Sequence, residues 1–244
     1  MPYLMAGFPS LRESIEIGLA CVEAGADVIE LGVPYSDPLA DGPVIHQAAT
    51  TALAAGISLA GALEVAGTLA QRIPVVLMCY ANMVFAPGLD AFLDRLARTQ
   101  ASGLIVPDLP LEEAAPVRRA CRRAGIALVP LLAPTSTPAR MAQIGQVAEG
   151  FLYAVSVVGT TGERSALAER FEQIVAGAKA SSSVPVAVGF GIATPEHAVQ
   201  AASAGADGVI VGTRLVRAAA ESKEPAQAVG ALVGAMAAAL ADGA

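Results

Sequence analysis

Tryptophan is missing from this chain and aromatic residues make up only 4% of it, so small and aliphatic side chains must fill its core. Cysteine is equally scarce. Cys21, Cys79 and Cys121 stand far apart, with no CxxC pair and no Cys/His cluster. No metal site is therefore expected, and each thiol reads as a small buried apolar group. Unpaired thiols suit a reducing, cytoplasmic compartment. Charged residues are few, at 15%, with a net charge of −7 and a pI near 4.8. An acidic chain without a basic run is a poor binder of nucleic acid. No apolar stretch of roughly 18 residues is free of charges and turn residues, so no membrane span is expected. Met1-Pro2-Tyr3 opens without a basic stretch ahead of an apolar one, so no signal peptide is read there.

What the chain has in quantity is aliphatic sequence, with 55% of its 244 residues hydrophobic. Apolar runs at 3–6, 28–31, 75–78, 103–106, 128–131, 151–154, 186–189 and 208–211 read as strands, and helical patterns follow nearly all of them. The runs are continuous rather than alternating, as in a parallel sheet covered on both faces. Eight such units predict a single domain over residues 1–244. The expected fold is α/β, a closed (β/α)8 TIM barrel, for which about 250 residues is typical. Helix starts are marked. Ser10-Leu11-Arg12-Glu13 has capping-box spacing, and Thr137-Pro138 and Thr194-Pro195 place Thr at the cap and Pro at the first helical position. Ala24-Gly25-Ala26-Asp27, Ala204-Gly205-Ala206-Asp207 and Ala124-Gly125-Ile126 recur as helix-to-strand turns, with Gly where a left-handed residue is needed.

Against this background a few polar residues lack a structural role. Glu30 lies near the end of the second predicted strand, where a barrel normally buries both faces. No Lys or Arg falls between Arg12 and Arg72 to pair with it. A buried carboxylate costs several kcal/mol unless it is paired or protonated. Glu30 is thus either a strand-mouth residue with a distant Arg partner or, the favoured reading, a proton-transfer carboxyl whose pKa is raised by an apolar site. The loop that follows, Gly32-Val33-Pro34-Tyr35-Ser36-Asp37-Pro38-Leu39-Ala40-Asp41-Gly42, falls on the catalytic face of such a barrel. Asp37 divides evenly between a turn residue and a site residue. Asp41 is the stronger candidate, as a second carboxyl able to form an acid/base pair with Glu30.

Glycine marks the other constellation. Gly189-Phe190-Gly191-Ile192 and Val211-Gly212-Thr213 end the seventh and eighth strands, and Thr160-Thr161-Gly162 follows the sixth. Loop amides and a helix N-terminus at these places commonly bind phosphate in barrels, and a phosphate site is expected here. Tyr153, at the end of the sixth strand, is balanced between packing and site roles. His46 and His197 read as surface or capping residues, and Arg118, Arg119, Arg122 and Arg123 as a solvated helix face.

The run Ile29-Glu30-Leu31-Gly32-Val33-Pro34-Tyr35-Ser36-Asp37-Pro38-Leu39-Ala40-Asp41-Gly42-Pro43 resembles the signature of the tryptophan synthase alpha subunit family. Ala6-Gly7-Phe8-Pro9, Tyr80-Ala81-Asn82, Asp108-Leu109-Pro110, Thr161-Gly162 and Gly189-Phe190-Gly191-Ile192 extend the resemblance across the barrel. It implies retro-aldol cleavage of indole-3-glycerol phosphate to indole and glyceraldehyde 3-phosphate, without a metal or organic cofactor. By resemblance Glu30 is the acid and base, Asp41 holds the indole N–H, and Tyr153 lines the site and helps position Glu30. Met78 and Phe190 would wall the substrate, and Thr161, Gly162, Gly191, Gly212 and Thr213 would surround its phosphate. A beta subunit carrying pyridoxal phosphate is the implied partner, in an alpha2beta2 tetramer facing Pro34, Asp37, Asn82, Asp108 and Pro110. This sequence departs from the family in lacking an extra helix ahead of the first strand, and in having Thr160 for Val, Thr213 for Ser and His46 for Gln. Another phosphate-binding barrel enzyme, a silent regulatory subunit and a free-standing lyase stay open as alternatives. The paired Glu30 and Asp41 disfavour the first two.

Overall fold

The computed structural model describes residues 1–155, 164–189 and 191–242, with side chains described outside 164–171. Strands β1 (Tyr3–Met5), β2 (Ile29–Gly32), β3 (Val75–Met78), β4 (Gly103–Ile105) and β5 (Ala127–Leu128) form one parallel sheet in chain order. Strands β6 (Leu131–Leu132), β7 (Leu152–Val155), β8 (Val186–Gly189) and β9 (Gly208–Val209) form a second. The two sheets are one barrel. At one seam Tyr3 N donates to Val211 O at 2.8 Å and Val211 N to Met1 O at 3.0 Å. At the other, the expected strand 128–131 is split at Pro130, which has no N–H to give to a ladder. Even so, Val129 N donates to Leu104 O at 2.9 Å and Pro130 O accepts from Tyr153 N at 3.1 Å, which carries the wall across the break.

Three further boundaries differ from expectation. The second strand is Ile29–Gly32, so Glu30 is its second residue rather than near its end. The sixth barrel strand is Leu152–Val155, which puts Tyr153 inside the strand and not at its close. The last strand stops at Val209, leaving Val211 only an isolated bridge to Pro2.

Helices α1 (Leu11–Glu23), α2 (Pro43–Ala54), α3 (Leu59–Leu69), α4 (Ala81–Phe85), α5 (Leu89–Arg98), α6 (Ala114–Arg123), α7 (Pro138–Gly145), α8 (Arg164–Ser181), α9 (Pro195–Ser203), α10 (Thr213–Glu221) and α11 (Pro225–Asp242) surround the strands. Two helices, not one, follow β2, β3 and β9. No helix precedes β1 among the described residues. The predicted caps form: Ser10, Thr137 and Thr194 side chains accept from the amides of Glu13, Arg140 and His197. Gly25, Gly125 and Gly205 have φ of +92°, +72° and +95°, the left-handed turn that the repeated motif requires. Ile29, Leu31, Leu77 and Leu104 are fully buried in the wall of the barrel.

α11 qualifies the reading that no segment can span a membrane. Its 18 residues have a mean hydropathy of 1.3, long and apolar enough by length and composition. Here it lies along α1, α9 and α10, and a single stripe of Pro225, Val229, Val233 and Met236 is buried. Small residues on the rest of its surface supply the hydropathy, as in the helix layer of a barrel.

Candidate active site

Strand register decides which side chains share the barrel interior. Tyr3, Glu30, Val76, Gly103 and Ala127 are successive register partners across the first sheet. Leu131, Tyr153, Ala187 and Gly208 are the corresponding row across the second. Register partners in a parallel ladder point to one face. Glycines make room above these rows. A Cβ on Gly32 would overlap the Tyr3 hydroxyl, and a Cβ on Gly189 would overlap the Tyr153 hydroxyl. Glu30 therefore shares its interior row with one tyrosine directly and lies opposite a second.

Glu30 is 1% exposed, and neither carboxyl oxygen has a hydrogen-bond partner among the described residues. Burial pushes its pKa up to about 8; the Met1 ammonium opposes the shift and Asp41 adds to it. The group is thus mostly protonated near neutral pH. A strand-mouth carboxylate, solvated or paired to an arginine, does not describe this group among the described residues. Burial also raises the Asp41 carboxyl above its ordinary range, against a hydrogen bond from Tyr80 and the nearby His46. Two carboxyls in different surroundings can hold different protonation states at one pH.

The loop bearing Asp41 is anchored by Tyr80, a residue that sequence reasoning cited only as part of a motif. Its hydroxyl accepts from Ala40 N at 3.0 Å and is hydrogen-bonded to the Asp41 carboxyl. Its ring stacks on Tyr35, with centroids 5.0 Å apart and planes 28° apart. Beside it, the Asp108 carboxyl accepts from Ala81 N at 2.8 Å, satisfying a free amide at the start of α4. Met78, half-buried at the end of β3, is the register partner of Gly32 and so borders the same interior.

On the opposite side of the mouth the donors are backbone groups. Gly212 is the N-cap of α10 and offers no side-chain cap, and Thr213 is its first residue, so the helix start is free to meet an anion. Gly191 is exposed after β8 with φ +88°. Thr160, Thr161, Gly162 and Phe190 lie outside the described residues.

Of the expected partner-facing residues, Asp37, Asn82, Asp108 and Pro110 are exposed. Pro34 is not: it is buried where the loop leaves β2, and it offers no surface to a partner. Leu39, 85% exposed, and Phe85, 47% exposed, are apolar residues on the same loop and helix that the sequence did not single out. A cavity of about 240 Å³ beside β4 and β5 is lined by Val106, Leu109, Pro110, Leu128 and Arg118, and by neither Glu30 nor Asp41. Arg118 is therefore half-buried rather than solvated, whereas Arg122 and Arg123 are exposed and paired with Glu149 and Asp90. His46 is exposed as read. His197 is half-buried, with its ring Nδ1 enclosed and without a partner among the described residues. All three cysteines are buried thiols, and no group of three metal-ligating side chains occurs among the described residues.

Residues 1–242 match the family model of the tryptophan synthase alpha chain. A tryptophan synthase alpha chain from Synechococcus sp. (strain CC9902) is 51% identical over 219 residues, covering 89% of this chain and 81% of the relative. The structure of tryptophan synthase subunit alpha from Legionella pneumophila superposes with a TM-score of 0.89 at 38% identity, over 99% of this chain and 92% of that one. A chain of the tryptophan synthase alpha2beta2 complex from Pyrococcus furiosus superposes with a TM-score of 0.90 at 34% identity, over 96% of both chains.

Proposed function

This chain belongs to the tryptophan synthase alpha chain family, and from that premise we propose that it is a lyase of tryptophan biosynthesis that cleaves indole-3-glycerol phosphate to indole and glyceraldehyde 3-phosphate. The observation that carries the reading is Glu30, a buried carboxyl with no hydrogen-bond partner among the described residues and a pKa of about 8, below a loop that presents a second carboxyl. Indole leaves poorly as an anion. A proton delivered to its C3 turns the ring into an iminium that accepts the bonding electrons of the side chain. Glu30 holds the proton for that step at neutral pH. Its carboxylate then takes the proton from the side-chain hydroxyl as the carbon–carbon bond breaks and the aldehyde forms. Asp41 accepts the indole N–H and favours the cationic ring. Tyr80 fixes the Asp41 loop, and Tyr153 packs beside the Glu30 row. The phosphate rests on amides at Gly191, Gly212 and Thr213 with Thr161 and Gly162, while Met78 and Phe190 border the carbon skeleton.

The chemistry assigns this chain no cofactor of its own. A tryptophan synthase beta subunit, bearing pyridoxal phosphate, is the partner, and two copies of each chain form the assembly. The exposed Asp37, Leu39, Asn82, Phe85, Asp108 and Pro110 supply the docking face. The test is to incubate the purified chain with indole-3-glycerol phosphate, with and without the beta subunit, and to measure indole. Release that rises on adding the partner and vanishes in Glu30→Gln is expected. Release unchanged in Glu30→Gln would remove Glu30 from the reaction. Full release without any binding of the partner would instead make the chain a free-standing lyase.

A further inference from the structure

Tyr3 and Tyr153 are the same device in the two halves of the barrel. Tyr153 on β7 has Ala187 on β8 as its register partner, and its hydroxyl fills the space above Gly189, two residues further along. Tyr3 on β1 has Glu30 on β2 as its register partner, and its hydroxyl fills the space above Gly32, again two residues further along. Tyr3 is thus next to Glu30 in the row. Its ring is confined: its Cβ and Cδ1 would lie 3.4 and 3.5 Å from a Cβ on Gly212, while its hydroxyl end lies against Gly32. The phenol spans the interior from the α10 loop to the base of the Asp41 loop, with only 7% of the residue exposed.

We propose that Tyr3 is a positioning residue for Glu30, whose hydroxyl donates a hydrogen bond to the Glu30 carboxylate once the acid has given up its proton. This rests on the reading of Glu30 as the acid and base. Among the described residues the groups facing Glu30 are Tyr3, Tyr153, Asp41 and the Met1 ammonium, with no arginine or lysine among them. Asp41 repels the carboxylate, and burial strips it of water. A neutral donor that keeps its own proton is what such a carboxylate needs. Tyr3 meets that need because burial and the neighbouring Asp41 and Glu30 charges hold its phenol far from ionisation. Among the described residues no hydrogen bond reaches the Tyr3 hydroxyl, so it is free to turn toward Glu30. The bond forms only in the ionised state of Glu30, and charge-assisted bonds of this kind are the strong ones.

Tyr3→Phe tests the proposal with the ring, and hence the packing, retained. Two readouts are taken on the full chain. The first is the protonation of Glu30 in the absence of substrate, followed by the infrared carbonyl stretch of its carboxylic acid against pH and assigned with Glu30→Gln. The second is indole release from indole-3-glycerol phosphate in the presence of the beta subunit. The expected result is an upward shift of the Glu30 titration by about one pH unit and a fall in kcat of about tenfold, with KM and the melting temperature near wild type. An unmoved titration overturns the proposal, whatever happens to turnover. A rise in KM with unchanged kcat and titration also overturns it, and would make Tyr3 only a wall of the site. A shifted titration in a chain that never cleaves the substrate would support Tyr3 as the Glu30 donor while refuting the proposed reaction.

Discussion

On the β1–β3 side of the barrel mouth the groups proposed to react are the side chains Glu30 and Asp41, whereas on the β8–α10 side the groups proposed to hold the phosphate are backbone amides at Gly191, Gly212 and Thr213. The contrast follows from what each side must do. Moving a proton near neutral pH needs a carboxyl lifted out of its ordinary range, and burial without a partner does that to Glu30. Holding a phosphate needs donors that let the anion approach closely and keep their charge distribution at any pH. Glycine amides and an uncapped helix start meet that need. Damage to the first side should therefore appear in kcat and in pH dependence, and damage to the second in KM.

Glu30→Gln should have the largest effect, a fall in kcat of at least about 10²–10⁴-fold with little change in substrate affinity, read from steady-state indole release. Asp41→Asn should follow, with a loss of about 10²-fold in kcat, since it removes the fixed charge that favours the cationic ring. If Asp41→Asn raised KM alone, the division between the two sides would fail. Tyr80→Phe keeps the stack on Tyr35 but frees Ala40 N and Asp41, and should lower kcat about tenfold with KM nearly unchanged. Gly212→Val tests the other side. A Cβ there meets nothing closer than Tyr3 at 3.4 Å, an ordinary contact, so the chain should fold, while the added methyls obstruct approach of the anion to α10. KM should rise about tenfold, with kcat within a factor of about two. A kcat loss as large as that of Tyr80→Phe would show that the glycine side also takes part in the chemical step.

The barrel was legible because its signals repeat. Continuous apolar runs, Thr-Pro and Ser-x-x-Glu caps and Ala-Gly-Ala-Asp turns recur along the chain; the caps and turns formed as read, and each run contributes a strand, though with shifted bounds. The split of the fifth strand at Pro130 was missed because an apolar run hides a missing N–H. The doubled helices after β2 and β3 were missed because Gly56 and Gly88 leave the helical pattern only briefly. In the site, Glu30 and Asp41 stood out as carboxyls in apolar or glycine-rich sequence. Tyr3 and Tyr80 did not, because an aromatic residue beside a strand reads as core. Only register makes Tyr3 the neighbour of Glu30 in the interior row, and only the fold brings Tyr80 to a loop 40 residues away. Pro34 erred in the other direction: it belongs to a motif whose neighbours are exposed, yet it is buried.

The central claim, that Glu30 keeps its proton at neutral pH inside the folded barrel, is tested most directly by the unfolding free energy of wild type and Glu30→Gln across pH. The folded pKa of about 8 lies above the ordinary 4.5. Between those values the unfolded chain releases the Glu30 proton and the folded chain keeps it, so wild type loses stability as pH rises. Glutamine has no proton to release, and contributions from groups not coupled to Glu30 cancel in the difference. The account predicts that the stability advantage of Glu30→Gln grows from about pH 5 and levels off above about pH 8, at a few kcal/mol. A difference that stays flat across that range would mean that Glu30 ionises as an ordinary carboxylate, and would contradict the account.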